Sequence, residues 1–207
     1  MKLYFSPVTC ALAPHIALYE SGLPFEGRHV SLKNHTLADG SDYYAINPKG
    51  YVPLLEFDDG SRLSEGPAIV QWIADQVPER RLAPPAGTLP RYRLVEWLSF
   101  ITSELHKGYS VLFNPAMPEE AKALVRAKLV ERYRTVEERL AQAPFLLGED
   151  FSVADAYLYT VTRWAAAMQV DLGGFGRLAD FMQRVAARPA VQQALQAQGL
   201  LGHHHKH

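Results

Sequence analysis

Apolar and polar positions follow two different periods along this chain, and the change comes near residue 80. "KLYFS" (2–6) is a short β-prone run. Behind it the apolar positions take helical spacing, with Leu12, Ile16 and Tyr19 on one face, until "SGLP" (21–24) stops the helix with Gly and Pro. "FEGRHVSL" (25–32) predicts a second strand, and the polar stretch 33–50 closes in the turn "NPKG". "VPLLEF" (52–57), the turn "DDG" (58–60) and "SRLSE" (61–65) predict a hairpin. "GPAIVQWIADQV" predicts a helix whose Pro67 suits the first turn. The order β-α-β then β-β-α predicts a four-stranded mixed sheet with helices on its faces.

"PERRLAPPAGTLP" (78–90), with four prolines and a glycine, interrupts the pattern, and beyond it the period of two is gone. Residues 91–113 read as a helix with Leu94, Leu98, Ile101 and Leu105 on one face. A long helix is predicted from Pro118 and its two following glutamates to about Ala141. "FSVADAYLYTVTRWAAAM" (151–168) opens with Ser152 and Asp155 at capping-box spacing and is apolar nearly all round, which predicts a buried central helix. Two shorter helices follow, around 175–188 and 189–198. The predicted organisation is an α/β domain (1–80), a linker (81–90), an all-helical domain (91–200) and a His-rich tail (201–207) expected to be disordered.

Composition narrows the partners. The chain has 207 residues, 48% of them hydrophobic, and a net charge of −1, which gives no electrostatic reason to expect nucleic acid or an anionic membrane. No run approaches a membrane span or the apolar region of a signal peptide, so a cytoplasmic protein is expected. His15, His29, His35 and His106 show no metal-ligand spacing, and no metal is expected.

The only cysteine, Cys10, falls between the first strand and the first helix. Free backbone N–H groups at a helix start stabilise a thiolate, which predicts a lowered pKa. A small buried hydrophobe is the competing reading, and this segment alone leaves both open. Thioredoxin-like redox sites carry C-x-x-C, whereas Ala13 stands here in place of the second thiol. A single thiol needs an external partner for release, and glutathione is the obvious cytoplasmic one.

"NPKGYVPLLEFDDG" (47–60), "LSEGPAI" (63–69), "WLSFITSELHKG" (97–108) and "GEDFSVADAYLYT" (148–160), together with Cys10, resemble the glutathione S-transferases, and within them the bacterial beta class. The likeness runs to about residue 199. It implies a thioredoxin-like domain followed by an all-helical one, a homodimer, glutathione as co-substrate, and an electrophile held in the cleft between domains. It also implies a cis bond before Pro53, exposing the Val52 backbone to the cysteinyl unit of glutathione. Glu65 and Gly66 would meet the γ-glutamyl end. Ser99, Ser103, His106 and Ser110 recur as a polar helical stripe. The resemblance puts His106 near the glutathione sulfur and Ser103, Glu104 and Lys107 near the charged ends of the peptide.

Three positions depart from that class. Tyr51 replaces a glutamine, His35 a lysine, and Ser99 an asparagine. A neutral histidine grips a carboxylate less well than a lysine, so His35→Lys is expected to bind glutathione at least as tightly. The expected function is conjugation of glutathione to hydrophobic electrophiles, with Cys10 and His106 as catalytic groups and thiol transfer through Cys10 as a companion role. The alternative is a non-catalytic ligand- or partner-binding protein of the same fold. Tyr109, Phe113, Trp164 and Met168 are expected to be core residues rather than pocket walls.

Overall fold

The computed structural model describes residues 1–201; from residue 202 onward the His-rich tail lies outside the described residues. Two compact units share the chain. One is Met1–Leu82 with the segment from Ala187 onward, and the other is Ala83–Ala186.

In the first unit, β1 (Lys2–Phe5) is flanked by β2 (Glu26–Ser31) and β4 (Leu54–Glu56), with β3 (Thr36–Leu37) and β5 (Arg62–Ser64) at the edges, in the order β3-β2-β1-β4-β5. β1 and β2 are parallel, and every other pair is antiparallel. The sheet therefore has five strands where the sequence predicts four. The fifth is a two-residue edge strand drawn from the polar stretch, too short to show an alternation. Leu3, Val30 and Leu55 are fully buried, each such side chain contributing about 1.5–3 kcal/mol.

Helix α1 (Leu12–Ser21) ends at Gly22 in the left-handed conformation. Helix α2 (Gly66–Gln76) buries Ile69, Val70, Ile73 and Ala74. The last helix, α8 (Pro189–Ala197), packs on α1 and so belongs to this unit, whereas its sequence placed it with the helical domain. Arg188 grips Glu20 through two bonds of 2.6 and 3.2 Å, and Gln198 Nε2 lies 2.9 Å from His15 Nδ1.

The second unit is helical: α3 (Leu89–Phe100), α4 (Lys107–Phe113), α5 (Glu119–Leu140), α6 (Val153–Thr162) and α7 (Gly176–Ala186). Thr88 caps α3 by accepting from Arg91 N. The single helix predicted over 91–113 is instead broken by a π-helical turn, Ile101–His106. Within it, the Thr102 and Ser103 hydroxyls bond the carbonyls of Leu98 and Ser99 at 2.9 and 3.0 Å, competing with the backbone ladder. Gly108 permits the close approach of α4 to α5, since a Cβ there would lie 2.8 Å from Leu129 Cδ2. Every residue of α6 is buried, as its apolar circumference predicts. The capping box is formed: Asp155 accepts from Ser152 N at 2.8 Å and from Leu146 N at 2.9 Å. Among the described residues, no helix is long and apolar enough to cross a membrane.

Candidate active site

Between β1 and α1 the chain is pinned by short side-chain bonds. Ser6 Oγ donates to the Val30 carbonyl, and Thr9 Oγ1 donates to the Ser6 carbonyl at 2.7 Å while accepting from Ala11 N at 3.2 Å. This loop presents Cys10, whose thiol donates to the Val52 carbonyl at 3.5 Å. The lowered pKa expected of Cys10 is not found. Burial pushes the thiol up to about 11; a backbone N–H opposes this in part, and the Glu65 carboxylate adds to it. Regular helix begins only at Leu12, so desolvation of the sulfur outweighs the positive helix end. At neutral pH Cys10 is a thiol.

The Val52–Pro53 peptide is cis. Just before it, the Tyr51 carbonyl accepts from Tyr43 Oη at 2.7 Å and from Asn47 Nδ2 at 2.9 Å, so the strand entry is held from two sides. Burial pushes the Tyr43 phenol up to about 12, which keeps it a donor. The Tyr51 side chain itself is exposed, while Val52 and Pro53 are buried. Glu65 caps α2 with φ 72°, a conformation unusual for a residue with a side chain, and Gly66 opens the helix. The exposed Glu65 carboxylate lies 3.7 Å from Lys49 Nζ. Lys49 belongs to "NPKG", which reads as a turn and gives no hint of this pairing.

His35 is engaged by Tyr44. Its ring stacks on Tyr44 with centroids 4.5 Å apart, and its backbone has φ 54°. Gly50 lies beneath the stack; a Cβ there would come within 2.6 Å of the Tyr44 ring and 2.9 Å of the His35 ring. Aromatic stacking thus fixes the His35 ring beside Gly50.

In the second unit the polar stripe is divided. Ser103, Glu104 and Lys107 line one shallow pocket of about 210 Å³. Ser103 Oγ donates to the Ser99 carbonyl, Ser110 Oγ donates to the His106 carbonyl at 3.2 Å, and Glu104 pairs with Arg132 at 2.9 Å. The Ser99 side chain is exposed. His106 faces a different set: Nδ1 lies 2.6 Å from Tyr157 Oη, and its ring stands edge-on to Trp164 at 5.3 Å. Trp164 also meets Tyr109 and Phe113 edge-on. Tyr109 and Trp164 are buried, as expected of core residues, while Phe113 is exposed. Tyr157 and Thr102 are the residues that sequence reasoning missed here. A hydroxyl on a wholly buried helix needs a partner, and that is the signal "DAYLY" offered. Among the described residues there is no cluster of side chains suited to a metal ion.

Comparison with known proteins gives one answer. Residues 9–76 match the glutathione S-transferase N-terminal domain, and residues 100–189 match the C-terminal domain. Glutathione S-transferase GstA of Escherichia coli O157:H7 is 50% identical over 200 residues, spanning 97% of this chain and 100% of the relative. A solved ternary complex of BphK, a bacterial GST, has a TM-score of 0.94 and 53% identity, covering 97% of this chain and 100% of that one. A bacterial beta class glutathione S-transferase from Sphingomonas chungbukensis has a TM-score of 0.93 and 42% identity over 97% of this chain and 100% of its own. Both domains are matched in order and across nearly the full length, and the chain belongs to the glutathione S-transferase family.

Proposed function

We propose that this glutathione transferase conjugates glutathione to hydrophobic electrophiles, with Cys10 acting as a neutral hydrogen-bond donor rather than as a nucleophile. The observation that carries this reading is the Cys10 thiol seated on the Val52 carbonyl at 3.5 Å. When the cysteinyl N–H of glutathione takes that carbonyl, the Cys10 S–H is released toward the incoming sulfur. A donor aimed at a thiolate stabilises it and lowers the pKa of the glutathione thiol. His106 accepts the proton that the thiol loses. The thiolate then attacks the electrophilic carbon, a C–S bond forms, and the leaving group departs with the electron pair of its bond.

Glu65 suits the γ-glutamyl ammonium, and Val52 and Pro53 suit the cysteinyl backbone. Ser103 and Lys107 suit the charged ends of the peptide. The exposed ring of Phe113 offers apolar surface to the electrophile. Family resemblance supports a homodimer working in the cytoplasm.

Thiol transfer through Cys10 is disfavoured by the desolvation of its sulfur. With a pKa of about 11, only on the order of 10⁻⁴ of the thiol is ionised at pH 7. The test is glutathione-dependent conjugation of an activated chloronitroaromatic, assayed beside reduction of a mixed glutathione disulfide. Conjugation is expected to dominate. Glutathione binding without either turnover would restore the alternative of a non-catalytic binding protein.

A further inference from the structure

We infer that Tyr157 and Thr102 are positioning residues that hold His106 in one tautomer, with the proton on Nδ1 and the lone pair on Nε2. The inference rests on the reading of His106 as the base for the glutathione thiol.

Four groups of the second unit share their protons along one chain of contacts. Thr102 Oγ1 donates to the Leu98 carbonyl at 2.9 Å, so its single proton is committed. The same oxygen lies 3.2 Å from Tyr157 Oη, and a bond at that contact must therefore use the proton of Tyr157. That commits the proton of Tyr157 in turn. The remaining contact, Tyr157 Oη to His106 Nδ1 at 2.6 Å, can then be bridged only by a proton on Nδ1. If Tyr157 donated to Nδ1 instead, either its oxygen would face the Thr102 oxygen with no proton between them, or Thr102 would turn its proton to Tyr157 and give up the Leu98 carbonyl. Only one direction around the chain satisfies all three contacts: His106 to Tyr157 to Thr102 to the Leu98 carbonyl.

The consequence is chemical. A neutral imidazole protonated at Nδ1 presents an acceptor at Nε2, which is what a base needs to receive a thiol proton. The opposite tautomer would present a donor there and could not take that proton while neutral. The supports are rigid. Tyr157 is 4% exposed on the wholly buried α6, and His106 and Thr102 share the π-helical turn. The irregular turn thus brings Thr102 and His106, four residues apart, onto one phenol from a neighbouring helix.

The test is ¹⁵N NMR of the histidine rings in the full chain at a pH where His106 is neutral. The His106 signal is identified by its loss in His106→Asn, and turnover is measured in parallel. The expected wild-type pattern is a protonated Nδ1 and an unprotonated Nε2. Thr102→Val removes the acceptor for Tyr157, frees its proton for Nδ1, and should shift the ring toward the Nε2–H form. Its kcat for conjugation should fall about tenfold with KM for glutathione little changed. Thr102→Ser should restore both ring pattern and rate, and Tyr157→Phe should lose the Nδ1 preference. A wild-type ring protonated at Nε2, or a ring unchanged in Thr102→Val and Tyr157→Phe, overturns the inference. A ring that shifts while turnover stays constant supports the proton assignment and overturns the role of His106 as base.

Discussion

The thiol of Cys10 donates to the backbone carbonyl of Val52 at 3.5 Å, and the proposed function gives that same carbonyl to the peptide N–H of glutathione. The sulfur and the substrate thus compete for one acceptor. On that reading glutathione binding releases the thiol, which stays protonated until then.

Alkylation of Cys10 by a small haloacetamide should be slow at neutral pH. Because burial raises the pKa to about 11, the reactive thiolate appears only as pH rises toward that value. Mass-spectrometric rates between pH 7 and 10 should climb about tenfold per pH unit. A plateau near pH 8 would show an ordinary or activated thiol.

His15 gives the fold a pH limit on the acidic side. Burial among Phe5, Tyr19 and Phe25 lowers its pKa to about 4. The unfolded chain binds the proton at about 6.5, so between these values unfolding takes up a proton that the native state refuses. Stability from this group is fully present above pH 6.5 and lost as pH falls toward 4, by up to about 3 kcal/mol. Urea unfolding of wild type and His15→Gln at pH 7 and pH 4.5 should show a smaller pH loss in the variant. Equal losses would remove His15 as the cause.

Asp155 holds the start of α6. It is fully buried and bonds Ser152 N and Leu146 N. Asp155→Ala strands both donors and should destabilise the chain by about 3 kcal/mol, read as a shift in the unfolding midpoint. A change below about 0.5 kcal/mol would mean that these bonds hold nothing that water does not replace.

Glu65→Gln should raise KM for glutathione several-fold with a smaller change in kcat, because the proposed function uses the carboxylate to bind the ammonium and not in the chemical step. Steady-state kinetics at saturating electrophile separate the two. A fall in kcat alone would place Glu65 in the reaction.

Much of this was legible in the sequence because local chemistry and tertiary structure agree. Pro67, the "DDG" turn and the Ser152–Asp155 spacing act within a few residues, and each element they predict is present. The errors have physical causes of another kind. The pKa of Cys10 departs from expectation because a helix start is visible in sequence, whereas enclosure of a sulfur is not. The fifth strand escaped because two residues carry no period. The π-helical turn escaped because the apolar spacing of Leu94, Leu98, Ile101 and Leu105 runs through it without a break. The stacking of His35 on Tyr44 escaped because the Gly50 that makes room for it lies fifteen positions away. The pairing of His106 with Tyr157, far apart in sequence, could be seen only once α6 was in place.

The most direct measurement is kcat/KM for conjugation of an activated chloronitroaromatic by wild type, Cys10→Ala and Cys10→Ser. A donor keeps its role when sulfur is replaced by oxygen, and a nucleophile or thiolate does not. The expected result is a loss of about tenfold in Cys10→Ala, or about 1.4 kcal/mol, with Cys10→Ser close to wild type. A loss of a hundredfold or more in both variants would contradict the donor role and place the sulfur of Cys10 in the chemical step.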